Sequence, residues 1–294
     1  MSTAPTLAAD LLFDAGAVLG EGPVWDARLG ALVWVDIERH LVHVTSPNGA
    51  DRTFDAGQRV GVAVPRAGGG LVLAVQDGFS TLDLETGAVE SVAAVEAELD
   101  RNRMNDGKCD PVGRFWAGTM SIDDLPQRGA LYRLDTDRSV TSVVEGVTIS
   151  NGLAWSADSR TMYFIDTPTQ RVDAFDFDPA GGSVSNRRTV VEIAPEDGSP
   201  DGMTIDADDR LWVALWGGAA VRRYEPDGRL DAMVELPTSL VTSCAFGGDD
   251  FEDLFITSAS IELSHQERRD QPFAGGVFRC RPGARGIPPH AYGG

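Results

Sequence analysis

The sequence has 294 residues, of which 45 are acidic and 25 basic, giving a formal charge of −20 and a pI near 4.4. That balance excludes nucleic acid and anionic membrane as partners, since both require a basic footprint, and so much acid serves solubility first. The three cysteines, Cys109, Cys244 and Cys280, form no C-x-x-C pair and no disulfide framework, which favours a reducing compartment.

The first segment, MSTAPTLAADLLFDAG, has neither the positive n-region nor the apolar h-region of a signal peptide. No later apolar run reaches the length of a membrane span. A monomeric cytoplasmic protein of one domain, residues 1–294, is expected. Within that first segment LAADLLFDAG reads as a strand with no partner nearby in sequence.

From Gly22 onward one pattern recurs: a small residue, a short apolar strand, a polar or glycine turn, and a second apolar strand. It appears as GPVWDARLGALVWVD from Gly22, GVAVPRAGGGLVLAV from Gly61 and GKCDPVGRFWAGT from Gly107. It returns as GLAWSADSRTMYFID from Gly152, GMTIDADDRLWVALW from Gly202 and SCAFGGDDFEDLFITS from Ser243. Successive starts are 39, 46, 45, 50 and 41 residues apart. A third apolar segment follows each copy, as in ALYRLD from Ala130 or VDAFDFD from Val172, and then a weaker fourth, as in SVTSVVEG from Ser139. Four short strands in about 40–50 residues is the period of a propeller blade. Six copies therefore predict an all-β, six-bladed β-propeller with four antiparallel strands per blade. The unpaired N-terminal strand is expected to complete the last blade and close the ring, removing an exposed sheet edge. Trp25 and Trp155 share one position of the repeat, and Trp34, Trp116 and Trp212 fall on second strands, as packing between blades requires.

The first strand of each blade lines the central channel of a propeller. The residues immediately before the repeat starts, Glu21, Val60, Asp106, Asn151, Asp201 and Thr242, are therefore expected at one rim of that channel. A single Asp or Asn at such a place caps a turn. The same register filled by acids and an amide in four blades points instead to a cation, because gathered carboxylates repel one another and lose water. Oxygen donors of this kind suit a hard divalent ion.

Rival chemistries are poorly represented. His40, His43, His265 and His290 lie outside the repeat starts and are expected at the surface. There is no G-x-S-x-G nucleophile elbow, no H-E-x-x-H, and no glycine-rich phosphate loop leading from a strand into a helix.

At these residues the sequence resembles the regucalcin (senescence marker protein) and gluconolactonase family over nearly its whole length. The matching segments are LGEGPVWD at Leu19, RMNDGKCDPVGRFWAGTM at Arg103, ISNGLAWS at Ile149, VDAFDFD at Val172, SNRRTVV at Ser185, PDGMTIDADDRLWVALW at Pro200 and TSCAFGG at Thr242. AGGVFRC near the C-terminus fits as well. The resemblance implies one divalent ion held by Glu21, Asn151 and Asp201, all three already singled out by the repeat. It implies substrate contacts from Arg103 and Asn105, and a further acidic contact at Asp123, where the family more often has Glu. It assigns Asn105 and not its neighbour Asp106 to the site, leaving Asp106 to buttress the loop.

The function so implied is metal-dependent hydrolysis of a sugar lactone such as xylonolactone, arabinonolactone or gluconolactone, with Asp201 as the candidate proton acceptor. Fe(II), Mn(II) or Zn(II) is expected to support activity better than Ca(II), being the stronger Lewis acid. Two alternatives share the fold: a calcium-binding regulatory propeller without catalysis, and a phosphotriesterase-like hydrolase with a second ion in the channel.

Overall fold

The repeat's apolar runs are rich in β-branched and aromatic residues and are bounded by turn residues, so they form short strands. A computed structural model describes residues 4–294 and arranges these strands as six sheets around a central channel. In the first blade the strands are Gly20–Asp26, Ala31–Asp36, Leu41–Thr45 and Asp51–Asp55, running antiparallel from the channel outward. The innermost strands of the other blades are Val60–Pro65, Asn102–Cys109, Ser150–Trp155, Ser199–Ile205 and Val241–Gly247. Each packs against the innermost strands of both neighbouring blades.

That close approach depends on the glycines that open the repeats. A Cβ on Gly61 would stand 2.2 Å from the Asn105 carbonyl oxygen, and one on Gly202 would stand 2.1 Å from Ser243 Oγ. No other residue fits these positions without displacing the neighbouring blade.

The sixth blade has three strands from the C-terminal part of the chain, Val241–Gly247, Asp253–Ser258 and Val277–Cys280. Its outermost strand is Asp10–Phe13, paired antiparallel with Val277–Cys280, so the N-terminal strand closes the ring as expected. The N-terminal segment does more than this. Thr6–Ala8 pairs in parallel with Leu230–Glu235 and adds a fifth strand to the fifth blade, so one apolar stretch spans two adjacent sheets.

The tryptophans pack the blades together. Trp34, Trp116 and Trp212 are fully buried. Trp116 meets Trp155 of the next blade edge-on at 5.8 Å, and Trp25 stacks on Phe255 of the sixth blade at 5.4 Å. The indole N–H groups of Trp116 and Trp212 donate to Asp110 and Asp206, each at 3.0 Å, which removes the cost of burying them.

Two features depart from the sequence expectation. His43 is buried, stacked on Trp34 at 3.9 Å, with Nδ1 2.7 Å from Asp51 Oδ2, because a third-strand residue of this blade faces the core. Between the second and third strands of the sixth blade the chain forms a short helix, His265–Asp270, started by a capping box of Ser264 and Glu267. Among the described residues no helix is long and apolar enough to cross a membrane.

Candidate active site

All six innermost strands carry a β-bulge close to the repeat start. The irregularities lie between Glu21 and Val24, Val60 and Val62, Met104 and Gly107, Asn151 and Leu153, Pro200 and Met203, and Val241 and Ser243. A bulge bends the strand and re-aims side chains, which is why bulges recur beside functional sites. Here they turn the channel residues toward the mouth. The preceding loops are held by the ends of the second strands. Asp36 accepts the backbone N–H groups of Val18 and Leu19, and Asp166 accepts those of Thr148 and Ile149. The chain is thus fixed just before both Glu21 and Asn151.

At one mouth of the channel lies a cavity of about 470 Å³. Glu21, Arg103, Asn105, Asn151 and Asp201 line it and are all buried against the protein. Five of the six residues expected at the site from sequence therefore share one cavity. Asp123 does not. Its carboxylate is half exposed and bound at two points by Arg101, with Nε 2.9 Å from Oδ2. The adjacent Asp124, in a left-handed turn conformation with φ 53°, lines the cavity in its place.

Asp106 points the other way. Together with Lys108, Thr204 and Ser243 it lines a smaller cavity of about 70 Å³ deeper in the channel, which Ile287, Pro288, Pro289 and His290 also line. The Lys108 ammonium donates to the Met203 carbonyl at 2.7 Å. Among the described residues no three His, Cys, Asp or Glu side chains form a metal-binding cluster. The mouth instead offers two carboxylates and an amide.

The two carboxylates share one local geometry. Glu21 accepts the Gly22 N–H at 3.0 Å, and Asp201 likewise accepts the Gly202 N–H. Burial pushes the Glu21 carboxyl up to about 8, helped by the charge of Asp106, while the Gly22 N–H and Arg103 oppose the shift. Asp201 is raised well above the carboxylate range, first by burial and then by Glu21 and Asp106. Arg103 acts on both through space, because its Nη1 is engaged by Met104 O at 3.0 Å and Asn105 Oδ1 at 2.6 Å. Two buried acids without a cation in contact, beside an amide oxygen, fit a divalent ion: all donors are oxygen, and a bound cation would relieve the cost of their charge. Glu21, Asn151 and Asp201 would hold it.

The cavity wall adds residues that the sequence did not single out. Glu38 and Glu262 line it with Asp124, Thr167 and Trp216. Arg59 grips Glu38 at two points, Nε to Oε1 and Nη2 to Oε2, each 2.9 Å, and these bonds hold its carboxyl below the usual range. Of these, only Trp216 falls within a repeat copy, as its last residue. The others lie between strands, Thr167 at the start of a short 3-10 helix, where periodicity carries no signal.

Residues 19–260 match the sequence family described as the SMP-30/gluconolactonase/LRE-like region. A regucalcin of Danio rerio is 42% identical over 281 residues, covering 94% of this chain and 95% of its own length. YvrE of Bacillus subtilis (strain 168), provisionally named a sugar lactone lactonase, is 38% identical over 283 residues, covering 96% and 97%. Among solved structures, a calcium-binding regucalcin from Agrobacterium tumefaciens superposes with a TM-score of 0.95 at 28% identity, covering 99% of both chains.

Proposed function

Because this chain belongs to the SMP-30/gluconolactonase/LRE-like family, we propose that it hydrolyses an aldonolactone to the open sugar acid with the help of one divalent metal ion. The observation that carries the reading is the composition of the cavity: two buried carboxylates and an amide beside a buried guanidinium, in a space of about 470 Å³. That volume is within the range of small-molecule pockets.

When bound by Glu21, Asn151 and Asp201, the ion supplies Lewis-acid polarisation of the lactone carbonyl. The protein supplies the rest. Asp201 accepts a proton from the attacking water, whose oxygen bonds to the carbonyl carbon. A carboxylate that also holds the ion is a weaker base than a free one, so an acid further out on the cavity wall is the alternative proton acceptor. The bond from carbonyl carbon to ring oxygen then breaks, and the ring oxygen takes up the proton as a hydroxyl. Arg103 can only donate, so nitrogens not already engaged by Met104 and Asn105 are directed at substrate oxygens. Carboxylates can only accept, so Glu38, Asp124 and Glu262 are suited to the hydroxyls of an uncharged polyol. The same wall disfavours the anionic product, which assists its departure.

Xylonolactone, arabinonolactone and gluconolactone are the candidate substrates. The test is acid release from a panel of aldonolactones by the metal-stripped protein and by protein reloaded with single ions. Metal-dependent turnover of one or more lactones is expected. Tight metal binding with no turnover of any lactone would favour the second reading, a calcium-binding protein without catalysis, for which the oxygen-only donor set also speaks.

A further inference from the structure

We infer that Thr167, just beyond the second strand of the fourth blade, is a positioning residue that fixes which end of the Asn151 amide faces the cavity. The inference rests on the metal-dependent reading above. A chain of hydrogen bonds crosses three blades at the channel mouth. Arg103 Nη1 donates to Asn105 Oδ1 at 2.6 Å, and Asn105 Nδ2 donates to Asn151 Oδ1 at 2.9 Å and to Ser150 O at 2.8 Å. Asn151 Nδ2 donates to Thr167 Oγ1 at 2.8 Å, and the Thr167 hydroxyl donates to Pro200 O at 2.8 Å.

Both ends of this chain have one possible polarity. A guanidinium only donates, and a backbone carbonyl only accepts. The single hydroxyl hydrogen of Thr167 is committed to Pro200, so toward Asn151 that oxygen can only accept. The amide must therefore present its NH₂ to Thr167 and its oxygen to the other side. There Asn105 takes one lone pair and leaves the second for a cation. Without the hydroxyl, the two ends of the amide lose the distinction on one side, and Nδ2 loses its partner. The chain also ends on the residue before Asp201, so it ties the fourth-blade ligand to the fifth-blade one.

Thr167→Val keeps the side-chain shape and the backbone N–H bond to Ile149 O at 3.2 Å while removing the hydroxyl. Thr167→Ser keeps the hydroxyl and removes a methyl group. With Mn²⁺ as the probe and calorimetry as the readout, Thr167→Val is expected to weaken binding about tenfold, as one lost hydrogen bond to a buried polar group does. Thr167→Ser is expected to bind like the wild type. Should Thr167→Val not fold, Thr167→Ala makes the same comparison. Wild-type affinity in the hydroxyl-free variant, or equal losses in the Val and Ser variants, would overturn the positioning role. Asp201→Asn is the control that separates the two readings. If it loses Mn²⁺ while Thr167→Val does not, only the role of Thr167 fails. If it also binds as the wild type does, the metal site itself fails.

Discussion

Arg101 holds Asp123 in a two-point ion pair at the rim of the cavity, and the following residue, Asp124, takes the wall. The carboxylate on the cavity wall is thus one position later than the residue the family resemblance implies, and we propose that it is the one to meet a sugar hydroxyl. Asp124→Asn is expected to raise KM for the preferred lactone about tenfold, the worth of a charge-assisted hydrogen bond. Asp123→Asn is expected to change it less than about threefold, because its partner is an exposed arginine. Steady-state kinetics of the two variants decide which carboxylate meets the substrate, and a larger effect at Asp123 would restore the original assignment.

Glu21→Gln, Asn151→Ala and Asp201→Asn each remove or neutralise one donor of the proposed ion. Each is expected to weaken metal binding by more than the ~10–100-fold typical of outer-shell changes, with turnover falling in parallel. Elemental analysis after dialysis and lactonase assays at limiting metal provide the check. Normal turnover in all three variants would remove the site from consideration.

Arg103→Ala should separate substrate from metal. Its guanidinium bonds to Met104 and Asn105 and lines the cavity, with no ligand role assigned to it. The expected result is a loss of kcat/KM of about 100-fold, the scale of a lost transition-state hydrogen-bond donor, with metal content close to wild type. A variant that comes out metal-free would show that Arg103 organises the ligands and not the lactone.

The donor atoms also bear on the choice of ion. Oxygen ligands alone do not select a soft ion, and Ca²⁺ prefers more of them than this set provides. Mn(II), Fe(II) or Zn(II) is expected to give the highest turnover, with Ca²⁺ binding but activating less. Anaerobic reloading of metal-free protein with each ion measures this directly. Full activity with Ca²⁺ alone would mean that positioning of the lactone outweighs polarisation of its carbonyl.

Without metal, burial favours the protonated form of Glu21. Its carboxyl is raised from 4.5 to about 8, so the stability linked to the protonated form is fully present below pH 4.5 and is lost as pH rises through about 8. Asp201 shifts in the same direction. The metal-free protein should therefore lose thermal stability across that interval, and saturating metal should flatten the loss, since binding requires the deprotonated acids and releases their protons. Melting temperatures of both forms between pH 5 and pH 8 test the sign. A metal-free form that gains stability over this range would contradict it.

The propeller was legible because its evidence is periodic. Small starting residues and paired apolar runs recur six times, and the register of Glu21, Asn151 and Asp201 follows from counting. Asp106 was misleading for a physical reason: two consecutive residues of one bulged strand, Asn105 and Asp106, point into different cavities, and a bulge shifts register by one where counting assumes none. Glu38, Asp124, Thr167 and Glu262 lie in connections between strands that converge only after closure of the ring. The helix at His265–Asp270 did have a local signal, since Ser264 and Glu267 are spaced as a capping box. It was masked by the strand pattern on either side.

The sixth blade sets the order in which the molecule can be finished. Asp10–Phe13 is made long before its partner, Val277–Cys280. Until then Asp10–Phe13 has no sheet to join, and the Val60–Pro65 and Gly20–Asp26 strands pack on each other with no sixth blade behind them. Closing so long a loop costs entropy before any contact rewards it, which slows folding and extends the time that unpaired strand edges stay open to other chains. Once the two ends of the chain are joined in one sheet, no terminal blade remains from which the ring could peel.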